Sequence, residues 1–115
     1  MSIFDERDID NLSAILDYCD RVESIYQRMG KSYDTYLNDE VYRDALLMNI
    51  LQIGETANRL SDECREELND LPWGDIIGTR NIIVHGYMQV DDEIIWNVIE
   101  YDVPLLKAKV EEAIG

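Results

Sequence analysis

At 115 residues the chain is about one domain long, and its 25 Asp and Glu against 10 Lys and Arg give a formal net charge of −15. That balance repels a phosphate backbone at long range, which excludes general coating of nucleic acid and leaves only local contacts with a polynucleotide. Two prolines, six glycines and no Asn-Gly or Asp-Gly pair argue against a turn-rich β protein, while 46% apolar residues suffice for one core.

The first residues, Met1-Ser2-Ile3-Phe4-Asp5, form neither a basic n-region nor an apolar h-region. No apolar run approaches the roughly 18 residues of a membrane span. The expectation is a soluble, cytoplasmic protein with no membrane association. From about Asp5 to Met29, Ile9, Leu12, Leu16, Cys19, Val22, Tyr26 and Met29 recur every three or four positions, which predicts an amphipathic helix with Gly30 as its C-cap. Lys31 to Asn38 reads as a connection. Asn38 or Asp39 caps a second helix running to about Leu60, apolar almost all round from Ala45 to Ile53 and therefore buried on most sides. Gly54 within it permits close approach of a neighbouring helix.

Ser61 caps a short acidic helix, Asp62 to about Asn69, broken by Leu71-Pro72-Trp73-Gly74. Gly74 or Asp75 starts a fourth helix. Asp91 caps a fifth through Ile94, Ile95, Val98 and Ile99, which Pro104 must kink or restart. Residues 1–115 thus read as one all-α domain, an antiparallel helical bundle of four long helices plus a short one. Cys19 and Cys64 are expected as buried thiols rather than a disulfide, and neither has metal-ligand spacing.

The chemistry concentrates in Arg80-Asn81-Ile82-Ile83-Val84-His85-Gly86-Tyr87, which holds the only histidine. At about 100° per residue, Ile76, Ile77, Ile83 and Val84 form one apolar arc with Arg80 inside it. An arginine there either meets a buried carboxylate or lines a concave surface. Asn81 and His85 are an i,i+4 pair, so Asn81 could fix the imidazole's tautomer. Residue type alone leaves His85 open between a packed side chain and a catalyst. Gly86 would end the helix and expose the ring, and Tyr87 by type belongs to the core.

Arg80-x4-His85-x-Tyr87 resembles the signature of the HEPN (higher eukaryotes and prokaryotes nucleotide-binding) superfamily. Within it the chain is similar to the HepT toxins, which are paired with MntA-like minimal nucleotidyltransferase antitoxins. The likeness extends to Asp44-Ala45, Ile53-Gly54-Glu55-Thr56-Ala57, Leu60-Ser61, Pro72-Trp73, Val90-Asp91 and Trp96, and so covers nearly the full chain. The resemblance implies an all-helical, homodimeric endoribonuclease that needs neither metal nor cofactor. It implies Arg80 and His85 as the catalytic pair, with Asn81 assisting. It also implies RNA as substrate and Tyr87 as the hydroxyl that the antitoxin modifies with AMP, in a dimer or a larger hetero-oligomer.

A physical argument runs beside the resemblance. Cleavage through the 2′-hydroxyl wants one group to take that proton, another to protonate the leaving 5′-oxygen, and a cation on the phosphorane. One chain has one histidine; two chains around a two-fold axis bring two histidines and two Arg80 guanidiniums to one cleft. The alternative is a non-catalytic HEPN dimerisation and nucleotide-binding module that partners a nucleotidyltransferase, with the Arg-His pair structural. A nucleotidyltransferase role for the chain itself lacks its Gly-Ser motif, and Asp91-Asp92 reads as a helix start.

Overall fold

The computed structural model describes residues 3–115. Helix α1, Glu6–Arg28, starts where Asp5 accepts a hydrogen bond from the Asp8 backbone N–H at 2.8 Å. It stops at Gly30, whose φ of +70° turns the chain out of the helix while Lys31 N–H returns to Tyr26 O at 2.9 Å. Leu12, Ile15, Cys19 and Val22 form its buried stripe. Ile15 belongs to that stripe in place of Leu16, a shift of one position within the expected face.

The expected connection after Gly30 contains a further helix, α2, Tyr33–Asn38, capped by Ser32. Its cause is tertiary. Tyr36 is fully buried, its hydroxyl donates to Asp92 at 2.8 Å, and its ring lies 5.6 Å from the Trp96 ring. Tyr26 and Tyr33 complete the cluster around Trp96 with ring centroids 5.5 and 5.3 Å away.

Asp39, rather than Asn38, caps α3, Glu40–Asn58, by accepting from Val41 N–H at 3.0 Å. Leu46, Leu47, Ile50, Ile53 and Ala57 are buried, yet Val41 and Met48 stay exposed. The helix is therefore not covered all round. Short α4, Asp62–Glu67, is capped by Ser61, which the buried Asp8 carboxylate also holds, accepting its N–H at 2.9 Å and its hydroxyl at 2.6 Å. These bonds tie the start of α1 to the chain leaving α3.

Helix α5, Trp73–Gly86, begins one residue before the expected glycine, anchored by Trp73 Nε1 donating to Leu68 O at 3.0 Å. A 3-10 turn, Tyr87–Gln89, follows. Asp91 caps α6, Asp92–Asn97, which runs through a π-helical segment, Val98–Asp102, into α7, Val103–Ile114. The expected restart at Pro104 takes this form. Val103 N–H reaches back five residues to Val98 O, and Pro104, lacking an N–H, sits in the first turn of α7 where none is needed.

The four long rods run antiparallel, as long-range partners show. Asp8 meets Ser61, Glu55 meets Arg80, and Lys107 reaches Asp20 and Glu23 of α1 at 3.0 Å each. Helix α3 is central, with α1 on one side and α5 on the other, and α7 packs on α1. Cys19 and Cys64 are both buried and free; burial pushes their thiols up to about 12 and about 11. Among the described residues no helix is long and apolar enough to cross a membrane.

Candidate active site

The site is organised by the contact between α3 and α5. A Cβ placed on Gly54 would lie 2.5 Å from Arg80 Cβ and 3.0 Å from Ile76 O, so only glycine lets the two backbones approach this closely. That approach brings the stem of Arg80 against α3. Its guanidinium then meets the next residue along, with Nε donating to Glu55 Oε1 and Nη1 donating to Asn81 Oδ1 at 2.7 Å.

Arg80 thus has the carboxylate partner that its apolar surroundings demand, but the pair is not sealed in the core. The side chains of Arg80 and Glu55 are 31% and 26% exposed, and the second terminal nitrogen of Arg80 makes no hydrogen bond among the described residues. Neither alternative holds in full: the arginine has a carboxylate partner, but that partner is part-exposed rather than buried. An arriving phosphate could bind the unclaimed nitrogen directly and compete with Glu55 for the rest.

His85 is exposed and makes no hydrogen bond or ion pair among the described residues. The expected tautomer-setting bond from Asn81 is absent: its amide oxygen accepts from Arg80 Nη1, and its amide nitrogen donates to no residue among those described. Five positions separate Arg80 from His85, an axial rise of about 7.5 Å. Glu55, Arg80 and Asn81 form one connected string, with His85 one turn beyond Asn81.

The apolar arc also needs correction. Trp73, Ile76, Thr79 and Ile83 are buried, whereas Val84 is 46% exposed and Ile82 also faces solvent. Nor is Tyr87 a core residue. It is 38% exposed and donates its hydroxyl to Asp44 Oδ1 of α3. Burial first, and the Asp44 bond second, push its phenol above the usual tyrosine range.

Two polar pairs therefore tie α3 to its neighbour on one face, Glu55 to Arg80 of α5 and Asp44 to Tyr87 of the 3-10 turn that follows. Asp44, Met48, Leu51 and Glu55 follow a helical stripe, and eleven positions set the pairs about 16 Å apart. Exposed Met48 and Val84 lie between them. Asp44 and Glu55 are among the residues that carry the family resemblance, which assigns neither of them a role. Their spacing of eleven, three turns of helix, was the signal that both serve one face.

A family described as Ribonuclease HepT-like matches residues 15–113. A candidate RNase of Caldanaerobacter subterraneus subsp. tengcongensis is 33% identical over 102 residues, covering 88% of each chain. A candidate RNase of Methanocaldococcus jannaschii is 32% identical over 79 residues, 69% of this chain and 72% of its own. A protein of Thermococcus cleftensis named "Probable ribonuclease HepT" is 25% identical over 80 residues, 70% of this chain and 73% of its own. No solved structure matches the chain.

Proposed function

The chain belongs to the HepT-like ribonuclease family, and from that premise we propose that it is a toxin endoribonuclease working without metal at a homodimer cleft. The observation that carries this reading is Arg80, held by Glu55 and Asn81 yet open to solvent with one guanidinium nitrogen unclaimed. A guanidinium so held is oriented in advance to receive a scissile phosphate and the charge that builds on it. His85, exposed and unpaired among the described residues, is free to exchange protons with a substrate.

In the proposed reaction one His85 takes the proton of the 2′-hydroxyl, which attacks the adjacent phosphorus. The partner chain's copy gives a proton to the departing 5′-oxygen, and the two Arg80 side chains carry the phosphorane charge. Asn81 assists by fixing Arg80, a role different from the imidazole contact expected of it. Exposed Met48 and Val84 on the shared face of α3 and α5 offer apolar area for a second copy. Tyr87, two residues past His85, is the proposed site of silencing by AMP from a minimal nucleotidyltransferase antitoxin, with which the dimer would form a hetero-oligomer. The adduct adds a charged phosphodiester and a nucleoside beside the cleft.

The test is cleavage of total RNA by purified protein with a chelator present. His85→Ala and Arg80→Ala should each lose at least about 10²-fold in rate while remaining folded dimers. Cleavage retained by His85→Ala would sink the reading. The Glu55 ion pair favours a second reading, in which the Arg-His pair is structural and the chain is a non-catalytic partner of a nucleotidyltransferase.

A further inference from the structure

Three tyrosine hydroxyls donate to carboxylates among the described residues: Tyr26 to Glu100 at 2.9 Å, Tyr36 to Asp92 at 2.8 Å, and Tyr87 to Asp44. Only the last is open to a macromolecular partner. Tyr36 is buried and Tyr26 half-buried, whereas Tyr87 is 38% exposed. Tyr101 is more exposed still, at 67%, but its hydroxyl has no hydrogen-bond partner among the described residues. Exposure alone therefore does not distinguish Tyr87; its company does.

That company has a second member. Arg43, the neighbour of Asp44 in α3, lies close enough for its charge to act on the Tyr87 phenol. Its guanidinium is fixed from two sides. Nη2 donates to Asp92 Oδ1 at 2.9 Å, and the guanidinium carbon lies 5.6 Å from the centre of the Tyr36 ring. The Tyr36 hydroxyl donates to the same Asp92 oxygen, so α2, α3 and α6 together hold Arg43 in place.

A hydroxyl that accepts a nucleotidyl group needs something to take its proton and a cation to balance the phosphate. We propose that Asp44 takes the Tyr87 proton during nucleotidyl transfer from a nucleoside triphosphate, and that Arg43 balances the charge of the phosphate transferred. Tyr87 Oη attacks the α-phosphorus, and the new O–P bond forms as the bond to pyrophosphate breaks. Pyrophosphate leaves with the electron pair, and the phenolic proton passes to Asp44, which later returns it to water. The partner enzyme supplies the nucleotide and its metal ions; this chain supplies base and counter-charge. The target brings part of the machinery for its own modification.

The proposal rests on Tyr87 being the modified residue, and the experiment separates the two. Purified protein, Mg-ATP and a purified minimal nucleotidyltransferase of the MntA-like type are mixed, and the added mass is followed by intact mass spectrometry and peptide mapping from pH 5 to 9. Unsubstituted protein should gain AMP at Tyr87, and Tyr87→Phe should gain none. Asp44→Asn should react about 10²-fold more slowly, with a rate that keeps rising with pH as the phenol ionises unaided. The rate for unsubstituted protein should instead depend little on pH over that range, because the phenol hands its proton to the hydrogen-bonded Asp44 rather than to solvent. Arg43→Gln should slow the reaction without changing the shape of that profile. Equal rates and profiles for Asp44→Asn and unsubstituted protein overturn the proton-acceptor role alone. Absence of adduct on unsubstituted protein, or adduct persisting in Tyr87→Phe or mapping to Tyr101, overturns both the Tyr87 assignment and this proposal. Because Asp44 is exposed and caps no helix, Asp44→Asn should melt with unsubstituted protein, so slow modification reports chemistry.

Discussion

Arg80 is where a structural and a proposed catalytic role compete for one side chain, and burial sets what each role predicts. Breaking a fully buried ion pair typically costs about 3–5 kcal/mol, because one charge is left desolvated. A pair exposed as this one is, 31% and 26%, sits nearer the surface regime of at most about 1 kcal/mol. Arg80→Ala should therefore lower the unfolding free energy, measured by urea titration, by only about 1 kcal/mol while cleavage is lost. A loss above about 3 kcal/mol would return Arg80 to a structural role and favour the non-catalytic reading.

At the scale of the elements, the close crossing of α3 and α5 governs whether the site exists at all. Gly54→Ala puts a methyl group 2.5 Å from Arg80 Cβ and 3.0 Å from the Ile76 carbonyl oxygen, a backbone atom that cannot swing aside. Overpacking of this kind costs about 1–3 kcal/mol, set against a helix-propensity gain of at most about 1 kcal/mol. The expected outcome is a lower melting temperature together with impaired cleavage. Gly78→Ala, whose Cβ would meet nothing within 4 Å, should instead be neutral or stabilising by about 0.5–1 kcal/mol. The long elements and the caps at Ser61 and Asp91 were legible in the sequence, and the cap of α3 to within Asn38 or Asp39, because apolar periodicity and capping chemistry are local. Helix α2 was not, since six residues carry no period and its stability comes from Asp92 and Trp96, far along the chain. The site was half legible. Arg80, Asn81, His85 and Tyr87 stand out within eight residues, but Glu55 and Asp44 lie 25 and 43 positions from their partners. No local rule turns Asn81 toward Arg80 rather than His85.

For the whole molecule the dominant fact is a charge of −15 spread over a body of 46 × 27 × 20 Å. At 0.01 M salt the screening length is about 30 Å, comparable to the molecule's width, and it falls to about 8 Å at 0.15 M. Like charges held together by folding repel most strongly at low salt. The melting temperature should therefore rise by several degrees between 10 and 300 mM NaCl, as followed by circular dichroism. A fall over that range would mean that attractive pairs, such as Lys107 with Asp20 and Glu23, outweigh the repulsion. The same field discourages long-range attraction of RNA, so in the proposed reaction substrate capture would fall to Arg80 and its copy in the second chain.

The two sequestered sulfur atoms have a practical consequence. Because burial holds both thiols far from ionisation, maleimide-type reagents at neutral pH should pass over Cys19 and Cys64. A cysteine introduced at Met88, 88% exposed and next to Tyr87, would then be the sole target in each protomer. In the proposed dimer, a nitroxide attached there would serve as a molecular ruler. The separation between two such labels would report how the copies face each other, and how that spacing changes when RNA is bound.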